Sequence, residues 1–279
     1  MSIRPVIRSH ASIPTQDGAG VHLLKAFGIR HVPDYDPFLM LDHFGGDDPA
    51  QYRAGFPWHP HRGIETITYV LQGEVEHKDS LGNEGVIGPG DVQWMTAGSG
   101  IIHQEMPRGD AGGHLWGLQL WSNLPASHKM MPPRYQEILQ NQIPTVEVDG
   151  ALVKVICGEV AGIQGPVQDI ISEPSYLDIP LPAGSRIALP VPADHNAFVY
   201  VLEGAGVFDE AGEAQIARQL LHFGDGDTIL LSSTEGLRCV LVYGLPIREP
   251  VAWRGPIVMN TQVELDTAFA EYANGTFVK

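Results

Sequence analysis

The chain has 279 residues, enough for two domains of ordinary size that each bury a core. Hydrophobic residues make up 43% and come with 32 Gly and 22 Pro, a profile that fits a turn-rich β protein and excludes a disordered chain or a helical bundle. With 33 acidic against 17 basic residues the net charge is −16, and no run of Lys and Arg offsets it, so direct binding to nucleic acid or to anionic lipid is not expected.

The N-terminus, Met1-Ser2-Ile3-Arg4-Pro5, lacks the apolar core of a signal peptide. No apolar stretch approaches the roughly 20 residues that span a bilayer, and the expected location is the cytoplasm. His10, His22, His31 and His128 stand alone and read as surface or hydrogen-bonded residues. Trp58-His59-Pro60-His61-Arg62-Gly63 is different, because alternate side chains of a strand share a face and His59 and His61 therefore project together. The segment Glu65–Leu71 has strand character that continues through Glu74–His77. Turns follow at Ser80-Leu81-Gly82-Asn83 and at Gly88-Pro89-Gly90-Asp91. Ile102-His103-Gln104-Glu105-Met106 then offers a second i, i+2 pair, His103 with Glu105. Short strands and tight turns at this spacing predict a small antiparallel barrel or sandwich.

Two such pairs on facing strands supply three imidazoles and a carboxylate. That set suits a first-row ion with open positions, and the carboxylate favours iron or manganese. A closed structural zinc site would more often use thiolates. Around the quartet, Trp58, Trp94, Met95 and Met106 read as wall or core residues. Arg62 reads as either a carboxylate partner near the site or a loop-holding ion pair, and Glu65 as an outer partner of the ligands or a structural hydrogen bond.

Further along, Asn123–Tyr135 is Pro-rich and without alternation, and marks a linker. Beyond it the grammar repeats. His195–Gly204 echoes Thr66–Gly73, and Phe223-Gly224-Asp225-Gly226-Asp227 echoes Ile87–Asp91, which predicts an internal duplication with domains at 1–135 and 136–279. His195 has no partner two residues on, and Thr228–Leu231 carries no His-x-Glu pair, so the second half is expected to hold no metal. Cys157 and Cys239 lie in Val/Leu/Ile-rich runs and read as buried thiols. Thr261-Gln262-Val263-Glu264 has the form of a capping box, predicting a helix through Phe269 and Tyr272 that stops at Asn274-Gly275.

With His59-Pro60-His61-Arg62-Gly63, His103-Gln104-Glu105-Met106-Pro107, Gly117–Pro125 and Gly255–Thr261, the chain resembles the pirin family of the cupin superfamily over nearly its whole length. The resemblance implies an all-β bicupin: two tandem cupin barrels of jelly-roll type and a short C-terminal helix. It implies one Fe(II) in the N-terminal barrel on His59, His61, His103 and Glu105, with Mn, Co, Ni, Cu or Zn as other ions such a set would accept. For several members it implies quercetin 2,3-dioxygenase activity with a flavonol-like substrate and O₂; Glu105, within reach of a metal-bound hydroxyl, reads as the base that takes its proton. For others it implies a redox-responsive regulator that binds a transcription factor or metabolic enzyme. Zinc-dependent hydrolysis or isomerisation is a weaker reading, since a fourth protein ligand reduces the open coordination of a catalytic zinc.

Overall fold

The computed structural model describes residues 2–210 and 212–279. The chain forms two compact units that do not divide at 135/136. One gathers the N-terminal stretch through Ser12 with Asn141–Pro246, and the other gathers Ile13–Gln140 with Ile247–Lys279. The expected boundaries thus shift at both chain ends, because the first strand, β1 (Val6–Ala11), pairs with Gln219–Phe223, and the C-terminal residues pack on the first barrel.

The barrel of residues 13–140 contains β2 (Ile13–Asp17), β3 (Val21–Phe27), β4 (Phe38–Gly46), β5 (Phe56–His61), β6 (Ile64–Gln72), β7 (Glu74–Asp79), β8 (Glu84–Ile87), β9 (Val92–Thr96), β10 (Ile101–Arg108), β11 (Leu115–Asn123) and β12 (Arg134–Ile138). A seven-stranded antiparallel sheet runs β12-β9-β6-β11-β4-β3-β2, and a four-stranded sheet runs β5-β10-β7-β8. Central strand β6 is buried on both faces, so its alternation separates two interiors rather than core from water. On one face Ile64 joins a cluster with Leu39, Met95, Ile101 and Val258, while Val70 joins another with Leu23, Phe44, Val75 and Leu115. Thr66 and Thr68 lie between them on the same face. This barrel therefore has apolar ends and a polar middle layer, and the site lies in that layer.

The C-terminal residues close one end of this barrel. A hairpin of Ala252–Arg254 with Ile257–Met259 leads into α1 (Gln262–Ala273), which begins at the predicted capping box: Glu264 N donates to Thr261 Oγ1 at 3.2 Å and Thr261 N donates to Glu264 Oε2 at 2.9 Å. The helix ends at Asn274, with Gly275 at φ 72°. Arg62 is buried. It pairs with Glu271 at 2.7 Å, donates to the Phe277 carbonyl at 2.9 Å and stacks over the Phe277 ring, so it holds the chain end rather than a carboxylate at the site. Lys129, also buried, donates to Gly63 O, Asn123 Oδ1 and Val258 O at 2.6 to 3.1 Å. Gly63 has φ 78°, and a Cβ there would run into the Val258 carbonyl, which explains the glycine closing the His-Pro-His-Arg-Gly run.

The second barrel repeats the strand order: β1, Gln219–Phe223, Asn196–Gly206, Leu237–Gly244, Ser175–Leu181, Ala151–Cys157, Thr145–Val148. Asn196–Gly206 takes the central place that β6 holds in the first. Its interior, by contrast, is one continuous apolar cluster including Val155, Leu177, Val199, Phe208, Leu221, Ile229 and Leu241. Arg4 ties down the N-terminal stretch through the carbonyls of Gly226, His195 and Pro192 at 2.6 to 3.0 Å. Cys157 and Cys239 are buried thiols, and Cys157 donates to the Pro174 carbonyl. No described helix is long and apolar enough to cross a membrane.

Candidate metal centre

β5 delivers His59 and His61 on one face, and its antiparallel neighbour β10 places His103 directly opposite His59. The ligand nitrogens of these three lie within 4.8 Å of one another, and among the described residues this is the group that could hold a metal. His61 and His103 are fully enclosed and His59 half-buried.

The hydrogen bonds around the rings decide where their lone pairs point. His59 Nδ1 lies 2.9 Å from the Pro57 carbonyl, and His61 Nδ1 lies 2.9 Å from the Pro256 carbonyl. A carbonyl only accepts, so both Nδ1 atoms carry the hydrogen. In a neutral ring Nε2 is then a bare lone pair, yet His59 Nε2 and His61 Nε2 face each other at 3.0 Å. Burial pushes all three rings below the ordinary histidine range, His61 and His103 well below it, which disfavours an added proton as the bridge. His103 Nε2 is buried with no hydrogen-bond partner. Converging lone pairs without protons fit a cation, and the donor set fits a first-row transition ion.

Behind His103, His77 Nδ1 lies 3.5 Å from His103 Nδ1, and His77 Nε2 lies 3.5 Å from Asp79 Oδ2. His77 and Asp79 thus pack behind His103 on β7. Glu105 follows His103 after a bulge that sets it opposite Phe56. Its Oε1 accepts from Thr68 Oγ1 at 2.8 Å, and burial pushes its carboxyl up to about 7. Glu105 shares with His59 and His61 the wall of a cavity of about 610 Å³, whose apolar lining is Leu23, Met40, Phe44, Phe56, Trp121 and Trp253. Asp17, Lys25, Asp42 and Gln119 add polar groups. Size and lining match a small-molecule site.

A pirin family model matches residues 20–122, and a model of the pirin C-terminal cupin domain matches 176–278. A pirin-like protein of Caulobacter vibrioides is 45% identical over 99% of this chain and all of its own length. The chain belongs to the pirin family. The crystal structure of quercetin 2,3-dioxygenase from Acinetobacter baumannii is similar to this pirin at a TM-score of 0.90 and 33% identity, covering 99% of this chain and 98% of that one. The nickel(II) complex of bacterial pirin YhhW from Escherichia coli shares the fold at a TM-score of 0.68 and 20% identity, covering 86% of this chain and 99% of that one. The two barrels are accordingly the two cupin domains of a bicupin.

Of the residues read as wall, core or outer partners around the quartet, several lie outside the cavity lining. Trp58 is 51% exposed, since alternation along β5 turns it away from the face that carries His59. Trp94 faces away from the cavity on β9, paired with Ile67, while Met95 belongs to the apolar end cluster. Met106 is half-buried outside the cavity lining. Glu65 lies on the β6 face opposite Thr68; its Oε1 accepts from Thr96 Oγ1 at 2.8 Å, a structural bond away from the metal group. Conversely, sequence reading passed over His77, Lys25, Asp42, Gln119 and Trp253. Asp42 carried a signal, a lone carboxylate within the apolar run Phe38–Phe44.

Proposed function

We propose that this pirin is a dioxygenase of the quercetin 2,3-dioxygenase type, holding one Fe(II) on His59, His61, His103 and Glu105 and opening a flavonol ring with O₂. The observation that carries this reading is the convergence of three imidazoles, with the bare Nε2 atoms of His59 and His61 on the wall of an apolar cavity sized for a small molecule. Likeness to the Acinetobacter baumannii enzyme over nearly the full chain supports the substrate class. A redox-active ion held there would supply the one-electron chemistry that lets a closed-shell flavonol react with O₂. Both oxygen atoms enter the products, the ring-opened compound and carbon monoxide, so no outside reductant is called for.

The protein's own groups do the rest. Glu105, on the cavity wall beside His59 and His61, takes the proton of the flavonol hydroxyl. Thr68 holds one of its oxygens in place. Phe44, Phe56 and Trp121 offer flat apolar walls for the rings and keep water from the reacting face. The Pro57 and Pro256 carbonyls fix the His59 and His61 rings before any ligand arrives.

The test is anaerobic loading with Fe(II), then quercetin and O₂. Turnover with stoichiometric carbon monoxide, lost in His61→Ala, is the expected result. Parallel loading with Mn, Co, Ni, Cu or Zn identifies the ion that works best. Iron bound without turnover, together with capture of a protein partner that depends on the iron's oxidation state, would replace the enzyme with the regulator.

A further inference from the structure

One charged pair in the cavity wall has no part in the metal group. The register of the large sheet aligns Gln93, Thr68, Gln119, Asp42 and Lys25 as one row across β9, β6, β11, β4 and β3. Thr68 touches Glu105 at one side of this row, and Lys25 ends the other. Lys25 Nζ donates to both carboxylate oxygens of Asp42 at 2.8 Å and lies 3.4 Å from Met40 Sδ. The Asp42 side chain is almost fully enclosed, Lys25 about one-third exposed, and both line the cavity beside Leu23, Met40 and Phe44.

Such a pair is poorly explained by stability. β3 and β4 are already joined by a backbone ladder, and a buried ion pair contributes little once desolvation is counted. As a ligand contact it has a definite chemistry. The pair is neutral overall, with a donor on Lys25 and spare lone pairs on Asp42. A neutral hydroxyl satisfies both partners, donating to Asp42 and accepting from Lys25. A ligand carboxylate would meet Asp42, and a ligand amine would meet Lys25. Asp42 stands two strands across from Thr68, roughly 10 Å at the usual strand spacing. A group bound there and a group presented to Glu105 therefore belong to different rings of one molecule.

We infer that Lys25 and Asp42 are positioning residues that grip a phenolic hydroxyl on the ring of the substrate remote from the reacting ring, selecting multi-ring polyphenols over flavonols bare of hydroxyls on that ring. The inference rests on the dioxygenase reading and adds the determinant of which flavonols are taken. It also gives a role to the charge that interrupts the apolar strand β4.

The test uses full-length, metal-loaded protein and two ligands: quercetin, with hydroxyls on its remote rings, and 3-hydroxyflavone, with none there. Dissociation constants are measured by equilibrium titration without O₂, for wild type, Asp42→Asn and the paired replacement Lys25→Met/Asp42→Leu, with metal content and melting temperature recorded for each. The wild type is expected to prefer quercetin about tenfold or more, the scale of one hydrogen bond to a charged group. Both variants are expected to lose that preference while keeping their metal. General loosening of the fold would weaken both ligands alike and leave the ratio in place. Binding of both ligands with the preference intact in folded variants overturns the anchor alone. Failure of the wild type to bind either flavonol overturns the dioxygenase reading and the anchor with it.

Discussion

Glu65 and Glu105 are both enclosed carboxyls lifted to about 7, yet they face opposite sides of β6 and have opposite consequences. Glu65 is a stability group. Below about pH 4.5 it is neutral whether the chain is folded or not; between 4.5 and 7 the unfolded chain ionises first, so stability falls as pH rises, and above 7 the cost is complete. The lift corresponds to on the order of 3 kcal/mol. Glu65→Gln should therefore gain on the wild type by about that amount between pH 5 and pH 8 in denaturant titrations, and an equal stability difference between the two proteins at both pH values would contradict this. Glu105 is a site group. Glu105→Gln keeps an oxygen donor but loses basicity, so metal should be largely retained while the dioxygenase rate falls by roughly 10² or more. An unchanged rate with iron in place would move the base elsewhere, and Glu65, facing away from the cavity, is no substitute.

At the scale of elements, the strand that carries His59 and His61 is braced by a segment about two hundred residues later. Val258 N donates to the Arg62 carbonyl at 3.1 Å, Pro256 O accepts from His61, and Lys129 joins Gly63 to Val258. Gly63→Ala adds a Cβ at φ 78° against the Val258 carbonyl. The expected cost is about 1–3 kcal/mol of stability, with metal affinity lower by roughly 10-fold as the Pro256 bond to His61 loosens. Thermal melts and a metal titration check both, and unaltered affinity in a destabilised variant would uncouple the C-terminal hairpin from the centre. The same elements mark what the sequence makes legible. Alternation within β5 and β10 is local, so the pairing of His59 with His61 could be read from spacing, as could the Thr261–Glu264 cap. The places of Trp253, Pro256 and Arg62 depend on a bridge between Arg62 and Ile257, and Lys25 meets Asp42 only through the register of β3 on β4. No local pattern encodes those partners. Trp58 fits neither the wall nor the core reading, because strand alternation sends it outward.

At the scale of the molecule, one architecture is used twice with different interiors. In the first cupin barrel the middle layer is polar and encloses the imidazoles; in the second the equivalent space is filled by apolar side chains around Val199, Leu221 and Leu241. A fully buried Leu or Val contributes about 1.5–3 kcal/mol, so the second barrel spends its interior on stability. The exchange of chain ends, with β1 on the second barrel and α1 on the first, was hidden from a linear reading because a composition break at residues 123–135 says nothing about which sheet a terminal strand joins. Metal stoichiometry tests the central claim most directly. Elemental analysis of the wild type and of His59→Ala/His61→Ala, each loaded with Fe(II) without oxygen and freed of excess, should find one ion per chain and essentially none; two ions per chain, or one retained by the double variant, would contradict it.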